Sequence, residues 1–250
     1  IVSDGNGCQD SITINIDEPD SLLLSLDNIA NILCNGASTG EISVSTSGGT
    51  LPYTYQWSNG GGANEDLSAA ASGNYTLTVI DDNNCTTQLT TLIAEPPALA
   101  ISLAETAVFC FEGVSGAIDA TVIGGVNPYN YGWTGPNGFT DNQEDLAGLV
   151  AGNYTITVTD SNNCVLSETA TIIEPTDVII TFTGAAVSCF GGNDGSLTAQ
   201  IISGGTPSFQ FQWDAAANNQ NTATAAGLIA GAYTVTVTDG NGCTYSNSAS

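Results

Sequence analysis

The sequence predicts an all-β chain of small sandwich modules in tandem, about 79 residues each. Three observations carry that expectation: blocks that recur at one period, short runs in which apolar residues alternate with Thr or Ser, and Gly-, Asn- and Pro-rich turns between the runs.

The cysteines set the period. Cys85, Cys164 and Cys243 are each 79 residues apart and close the segments DDNNC, DSNNC and DGNGC; DGNGC also ends at Cys8. Cys34, Cys110 and Cys189 form a second set, opening CNGASTGEI, CFEGVSGAI and CFGGNDGSL. In phase with them run GGTLPYTYQW to Trp57, GGVNPYNYGW to Trp133 and GGTPSFQFQW to Trp213. SGNYTLTVIDD from Ser72, AGNYTITVTDS from Ala151 and AGAYTVTVTDG from Ala230 follow, and Glu18-Pro19, Glu95-Pro96 and Glu174-Pro175 punctuate the periods.

Each block has a strand reading. Tyr154, Ile156 and Val158 alternate with Thr, the pattern of a half-buried strand whose hydroxyls face water. Gly-Gly before Pro and alternating aromatics is a turn feeding a strand that ends in Trp, and Asp-Gly-Asn-Gly is a tight hairpin signal. About seven short strands per period, without helical periodicity, indicate a sandwich. The order is immunoglobulin-like: strand A ends at the first Cys, B follows the Gly-rich turn, C carries the Trp, F begins at the Tyr, and G follows the second Cys. Leu149 to Tyr154 and Leu228 to Tyr233 read as tyrosine corners. Trp57, Trp133, Trp213, Tyr75, Tyr154 and Tyr233 are therefore expected in the cores. Taking Glu-Pro as the linker gives modules at 21–97, 98–176 and 177–250, the last truncated in its final strand. Residues 1–20 read as the closing strands of a preceding module, so the chain is expected to be a piece of something longer. Links this short predict a stiff rod of modules.

Composition narrows the function. The chain has 25 Asp plus Glu and no Lys, Arg or His. Nucleic acid and anionic membranes are bound through Lys and Arg, so neither is an expected partner. No apolar run approaches the ~18 residues of a membrane span. Without His or Lys, no side chain has an unperturbed pKa suited to proton transfer near neutrality. Carboxylate pairs are the one common catalytic device left, and Glu65-Asp66 and Glu144-Asp145 are such pairs; the third module has Ala223 to Ala225 there, and neighbours on a strand point to opposite faces. The chain is read as no enzyme. Seven scattered Cys indicate an oxidising, extracellular compartment.

These motifs together resemble the SprB repeat, named for the gliding-motility adhesin of Bacteroidetes, over essentially the whole chain and three times. The third module departs with Ser208-Phe209 where Pro-Tyr is the pattern. The resemblance implies secretion through the type IX system, display at the cell surface and many tandem copies. The lack of basic residues leaves room for a fibre-forming relative. The expected function is a structural stalk or filament of a surface adhesin, the alternative an array of carbohydrate- or surface-binding modules. The partners expected are neighbouring repeats, other copies in a fibre, and surface glycans.

Three disulfide schemes compete. In an immunoglobulin topology the A–B and F–G turns lie at opposite ends of a module, too far apart for same-module pairs such as Cys34 with Cys85. The A–B end of one module faces the F–G end of the next, which favours Cys34–Cys164 and Cys110–Cys243, with Cys8, Cys85 and Cys189 bonding to modules outside the chain. A fold-back scheme pairs Cys85–Cys110, Cys164–Cys189 and Cys8–Cys34. Other candidates are weaker. Asp81, Asp160 and Asp239, near Glu95 and Glu174 at module joints, are calcium candidates, against the simpler reading that they close Asx turns; no other cofactor is expected. Tyr53, Tyr55, Tyr129 and Tyr131 flank the Trp and are candidates for a sugar-binding face. Ser11 and Ser21 sit in Asp-Ser-aliphatic contexts that resemble a Bacteroidetes O-glycosylation motif.

Overall fold

The computed structural model describes residues 1–250, all of them strand, turn or loop apart from three single-turn 3-10 segments. It divides into two compact units, Ile1–Ala98 and Leu99–Ser250. No helix is long and apolar enough to cross a membrane.

The first unit opens with a small hairpin of β1 (Val2–Ser3) and β2 (Gln9–Asp10) around the Asp4 to Cys8 turn. Residues 11–20 carry no strand pairing, and Ile12, Ile14 and Ile16 are 83, 74 and 95% exposed. A sandwich follows: β3 (Leu23–Ala30), β4 (Gly40–Ser47), β5 (Thr54–Trp57), β6 (Leu67–Ala70), β7 (Gly73–Ile80) and β8 (Thr86–Ile93). One antiparallel sheet runs β3-β4-β6 and the other β5-β7-β8.

The second unit contains this arrangement twice. Its first sandwich comprises β9 (Ala100–Thr106), β10 (Gly116–Ile123), β11 (Asn130–Thr134), β12 (Thr140–Asp141), β13 (Leu146–Leu149), β14 (Gly152–Thr159) and β15 (Val165–Ile172). The sheets are β9-β10-β13 and β12-β11-β14-β15. Its second comprises β16 (Ile179–Ala185), β17 (Gly195–Ser203), β18 (Gln210–Trp213), β19 (Thr224–Leu228), β20 (Tyr233–Thr238) and β21 (Thr244–Ala249), in sheets β16-β17-β19 and β18-β20-β21. An A-B-E sheet on a C-F-G sheet is the immunoglobulin-like sandwich.

The seventh strand expected in each period is absent from two sandwiches, and in the middle one only the two-residue β12 stands in for it, pairing with β11. In the first two sandwiches side chains take up strand-B amides, whereas in the third the Ala223 carbonyl accepts the Ala199 N–H (2.9 Å). Asp66 and Glu65 accept the N–H groups of Val44 (3.0 Å) and Thr46 (3.2 Å) on β4, and Asp145 accepts that of Ala120 (3.0 Å) on β10. The adjacent carboxylates satisfy a strand edge that backbone would otherwise pair.

Each sandwich has its own core. Leu77 and Val79, Ile156 and Val158, and Val235 and Val237 are fully buried on the three F strands. Their Thr neighbours point outward and meet hydroxyls on strand G, as in Thr76···Thr90 (2.9 Å), Thr155···Thr169 (2.9 Å) and Thr236···Ser246 (3.0 Å). The alternation in the sequence is thus the in–out alternation of the strand.

Candidate functional site

Within the second unit the two sandwiches meet at a joint, where side chains of distant sequence converge on a covalent bond. It is built from the loop after β9 and the loop between β20 and β21. Residues 107–115 leave β9 and turn back through hydrogen bonds from Phe109 N–H to Ser115 Oγ (2.9 Å) and from Gly113 N–H to the Cys110 carbonyl (3.0 Å). Val108, 3% exposed, anchors this loop in the core and donates its N–H to the Ile173 carbonyl (2.9 Å). Glu174 accepts the Glu112 N–H (2.6 Å). The Glu-Pro linker therefore fastens the A–B loop that presents Cys110.

Asp239 shapes the opposite loop. Its Oδ1 accepts N–H groups of Asn241 and Cys243 (both 2.9 Å), and its Oδ2 reaches across to the Thr206 N–H (2.9 Å). Burial opposes ionisation of this carboxylate, but the N–H donors of Thr206, Cys243, Asn241 and Gly242 outweigh it and hold its pKa below the ordinary range. Gly242 takes φ +85, which a side chain resists, to close the turn.

The two loops are joined by Cys110–Cys243, with Cα atoms 5.6 Å apart across 133 residues of chain. Asn241 spans the same seam: its side-chain amide donates to the Phe109 carbonyl (3.1 Å) and to Thr206 Oγ1 (3.1 Å). Cys243 Sγ lies 3.4 Å from the Phe109 carbonyl oxygen, a contact rather than a hydrogen bond because the disulfide sulfur has no proton. The Tyr245 hydroxyl is buried against the Phe111 backbone without reaching hydrogen-bond geometry; burial, then the charges of Asp239 and Asp177, push its pKa up. Cys34 and Cys164 are also disulfide-bonded, while Cys8, Cys85 and Cys189 are free and exposed. Neither fold-back nor same-module pairing fits, since Cys110 is taken by Cys243.

The calcium candidates do not gather. Asp81 and Asp160 repeat the Asp239 arrangement, accepting Cys85 and Thr50 N–H (2.8 and 2.9 Å) and Cys164 and Val126 N–H (2.8 and 2.9 Å). Glu95 accepts Gly36 N–H and Ser72 Oγ–H (both 2.7 Å). These oxygens are filled by donors, and no three acidic or Cys side chains lie together as a metal would need. The carboxylates serve here as loop ties.

Trp57, Trp133 and Trp213 are 4, 1 and 1% exposed, each donating its indole N–H to a loop carbonyl, of Asn64, Gln143 and Thr222 (2.9–3.0 Å). Tyr75, Tyr154 and Tyr233 donate to the carbonyls of Ala71, Val150 and Ile229, four residues back (3.1, 3.1 and 2.7 Å). Tyr53, Tyr55, Tyr129 and Tyr131 are half-buried against the cores, with Tyr53 and Tyr129 hydroxyls donating to the Gly48 and Gly124 carbonyls. Ser11 and Ser21 are exposed. The ties made by Glu95 and Glu174 escaped the sequence reading, though Glu-Pro at a fixed distance after each second Cys was their signal.

The SprB repeat family model matches residues 26–62, 106–138 and 182–218, the stretch from strand A past the strand C Trp in each sandwich. None of the curated proteins matches the chain. Among solved structures, the chain is similar to the N-terminal eight Ig domains of Down Syndrome Cell Adhesion Molecule (13% identity, 90% of this chain and 36% of that one, TM-score 0.44). It is also similar to Dpr2 Ig1-Ig2 in complex with DIP-Theta Ig1-Ig3 (12% identity, 90% and 98% covered, TM-score 0.33).

Proposed function

We propose that this chain, with its three SprB repeats, is a length of a secreted, cell-surface stalk or filament that carries an adhesin's binding parts away from the cell. The observation that carries the reading is the Cys110–Cys243 bond, which fastens the A–B loop of one sandwich to the F–G loop of the next. A stalk fails at its joints, because an interface between small domains is weaker than the domains. A covalent bond, a linker glutamate and a bifurcated Asn amide at one joint answer that weakness. The repeat extends the argument: the same step along the sequence pairs Cys34 with Cys164, and the modules would follow 21–97, 98–176 and 177–250 as a rod.

The rest of the chain suits an extracellular structural role. Disulfides persist in oxidising compartments. With 25 acidic groups and no cation, neighbouring stalks repel one another. Trypsin finds no Lys or Arg to cleave. The Trp side chains, which a sugar platform would expose, are spent on the cores.

Small-angle scattering on the oxidised and reduced chain tests the reading. A stalk shows a maximum dimension that grows with repeat number and a loss of stiffness on reduction. A compact particle, or one indifferent to reduction, contradicts it.

A further inference from the structure

One segment of the third sandwich departs from its counterparts in the other two. Trp57, Trp133 and Trp213 donate their indole N–H groups to the carbonyls of Asn64, Gln143 and Thr222, which aligns the three sandwiches along the segment that follows strand C. The next residue is Glu65, Glu144 or Ala223. In the first two sandwiches that glutamate stands by a strand C tyrosine, Glu65 by Tyr55 and Glu144 by Tyr131. The third has Phe211 for the tyrosine and Ala223 for the glutamate, so hydroxyl and carboxylate are missing together.

At this place the third sandwich has a groove of about 590 Å³ along the free edge of β18, between residues 209–212 and 221–223. Its lining carries no charged side chain. The half-buried rings of Phe209 and Phe211 supply an apolar wall. Gln210 and Asn221 are exposed, Thr238 is half-buried, and the side chains of all three make no hydrogen bond within the chain. The main chain adds a further pair. Asp214 donates its N–H to Thr234, and the same alternation bonds Gln212 with Thr236 and Gln210 with Thr238, so Phe211 turns its N–H and C=O to the free edge. Neither meets a partner.

Charge and hydrogen-bonding capacity together define the occupant. A cation is drawn to carboxylates, which this groove lacks, and an anion is repelled by a chain of net charge −25. The open groups are amides, a hydroxyl and one backbone N–H with its C=O, donors and acceptors side by side next to aromatic rings. A ligand rich in hydroxyls, each both donor and acceptor, satisfies them. An added β-strand needs several alternate backbone pairs. The Gln220 carbonyl already takes the Trp213 N–H (2.8 Å), which leaves Phe211 as the one residue of β18 with both edge groups open.

We propose that this groove binds a neutral oligosaccharide, with Gln210, Asn221 and the Phe211 main chain on sugar hydroxyls and the two Phe rings against the apolar face of a sugar ring. The first and second sandwiches, which keep the tyrosine–glutamate pair, do not share the site. The stalk reading is independent of it, since losing the sugar leaves the joint intact.

The dye-labelled full oxidised chain is applied to an array of neutral oligosaccharides (glucans, mannans, xylans and galactans), uronate and sialylated glycans, and extended peptides. Binding is expected to neutral glycans alone. The strongest of them, titrated in solution, should shift the side-chain amide resonances of Gln210 and Asn221. Asn221→Ala, at an exposed position, should weaken binding roughly tenfold, the weight of one hydrogen bond. The double change Phe211→Tyr with Ala223→Glu installs the pair that the first two sandwiches fold with; it should abolish binding and leave the melting transition cooperative. No neutral glycan bound, acidic glycans bound as strongly, peptides bound instead, resonance shifts confined to other residues, or binding that survives either change would each overturn the proposal.

Discussion

The side-chain amide of Asn241 donates to the Phe109 carbonyl, 3.1 Å away, across a seam that the Cys110–Cys243 bond closes a few ångströms off. A hydrogen bond positioned beside a disulfide does two things: it orients the loops before oxidation and shares the load afterwards. Asn241→Ala should therefore leave the disulfide formed but lower the stability of the joint by about 1 kcal/mol, the size of one neutral hydrogen bond. Thermal melts of the variant with and without reductant check it; a shift that appears only in the reduced chain would show the amide to be redundant once the bond is made.

Removing the bond itself should cost more. In the chain-entropy account, closing a loop of this length restricts the unfolded chain by ~5 kcal/mol, and measured values cluster around 2–4 kcal/mol. The paired change Cys110→Ser and Cys243→Ser should lower the midpoint and split one calorimetric transition of residues 99–250 into two, because each sandwich has a core of its own. A single unshifted transition would show that the two sandwiches couple without the bond.

Much of this was legible beforehand, and the reason is local. Trp133 sits at the end of an alternating run and Tyr154 follows Leu149 by five residues, so periodicity and corner spacing alone place both in a core. Glu174 and Glu112, by contrast, are 62 residues apart, and nothing in either neighbourhood says that one carboxylate accepts the other's N–H. The seventh strand was over-read for a similar reason: a sandwich needs its strand-B amides satisfied, and the sequence does not announce that Glu65 and Asp66 side chains do so in place of backbone. Side-chain acceptors for distant backbone donors leave no periodic trace.

Gly116 offers a steric test of the packing around Ile172, which is 2% exposed at the end of β15. An added Cβ would lie 2.8 Å from Ile172 Cγ2 and 2.9 Å from the Leu149 carbonyl oxygen. Gly116→Ala should destabilise its sandwich by roughly 1–3 kcal/mol through overpacking. The double variant with Ile172→Ala, which removes the crowding Cγ2, should lose less than the sum of the two single variants in urea denaturation. Two losses that simply add would place the strain elsewhere.

The loop carboxylates set the response to acid. Asp81, Asp160 and Asp239 are held below the usual carboxylate pKa of 3.8: burial opposes the charge, and backbone N–H donors more than compensate. A group whose pKa is depressed on folding adds stability above its unfolded pKa and withdraws it as pH falls through the folded value. The contribution is therefore complete at neutral pH and lost below pH ~4. Opposing it, the charge of −25 at pH 7 repels itself, and acid relieves that repulsion. Stability should thus rise as pH is lowered from 7 towards the carboxylate range and fall below it. Asp160→Asn keeps an acceptor but not its charge, so its urea midpoint should be lower than wild type at pH 7 and converge on it by pH 2. Added salt should mimic only the first limb, raising the neutral-pH midpoint by screening. If salt left that midpoint unchanged while acid raised it, the rising limb would belong to specific protonations rather than to the collective charge.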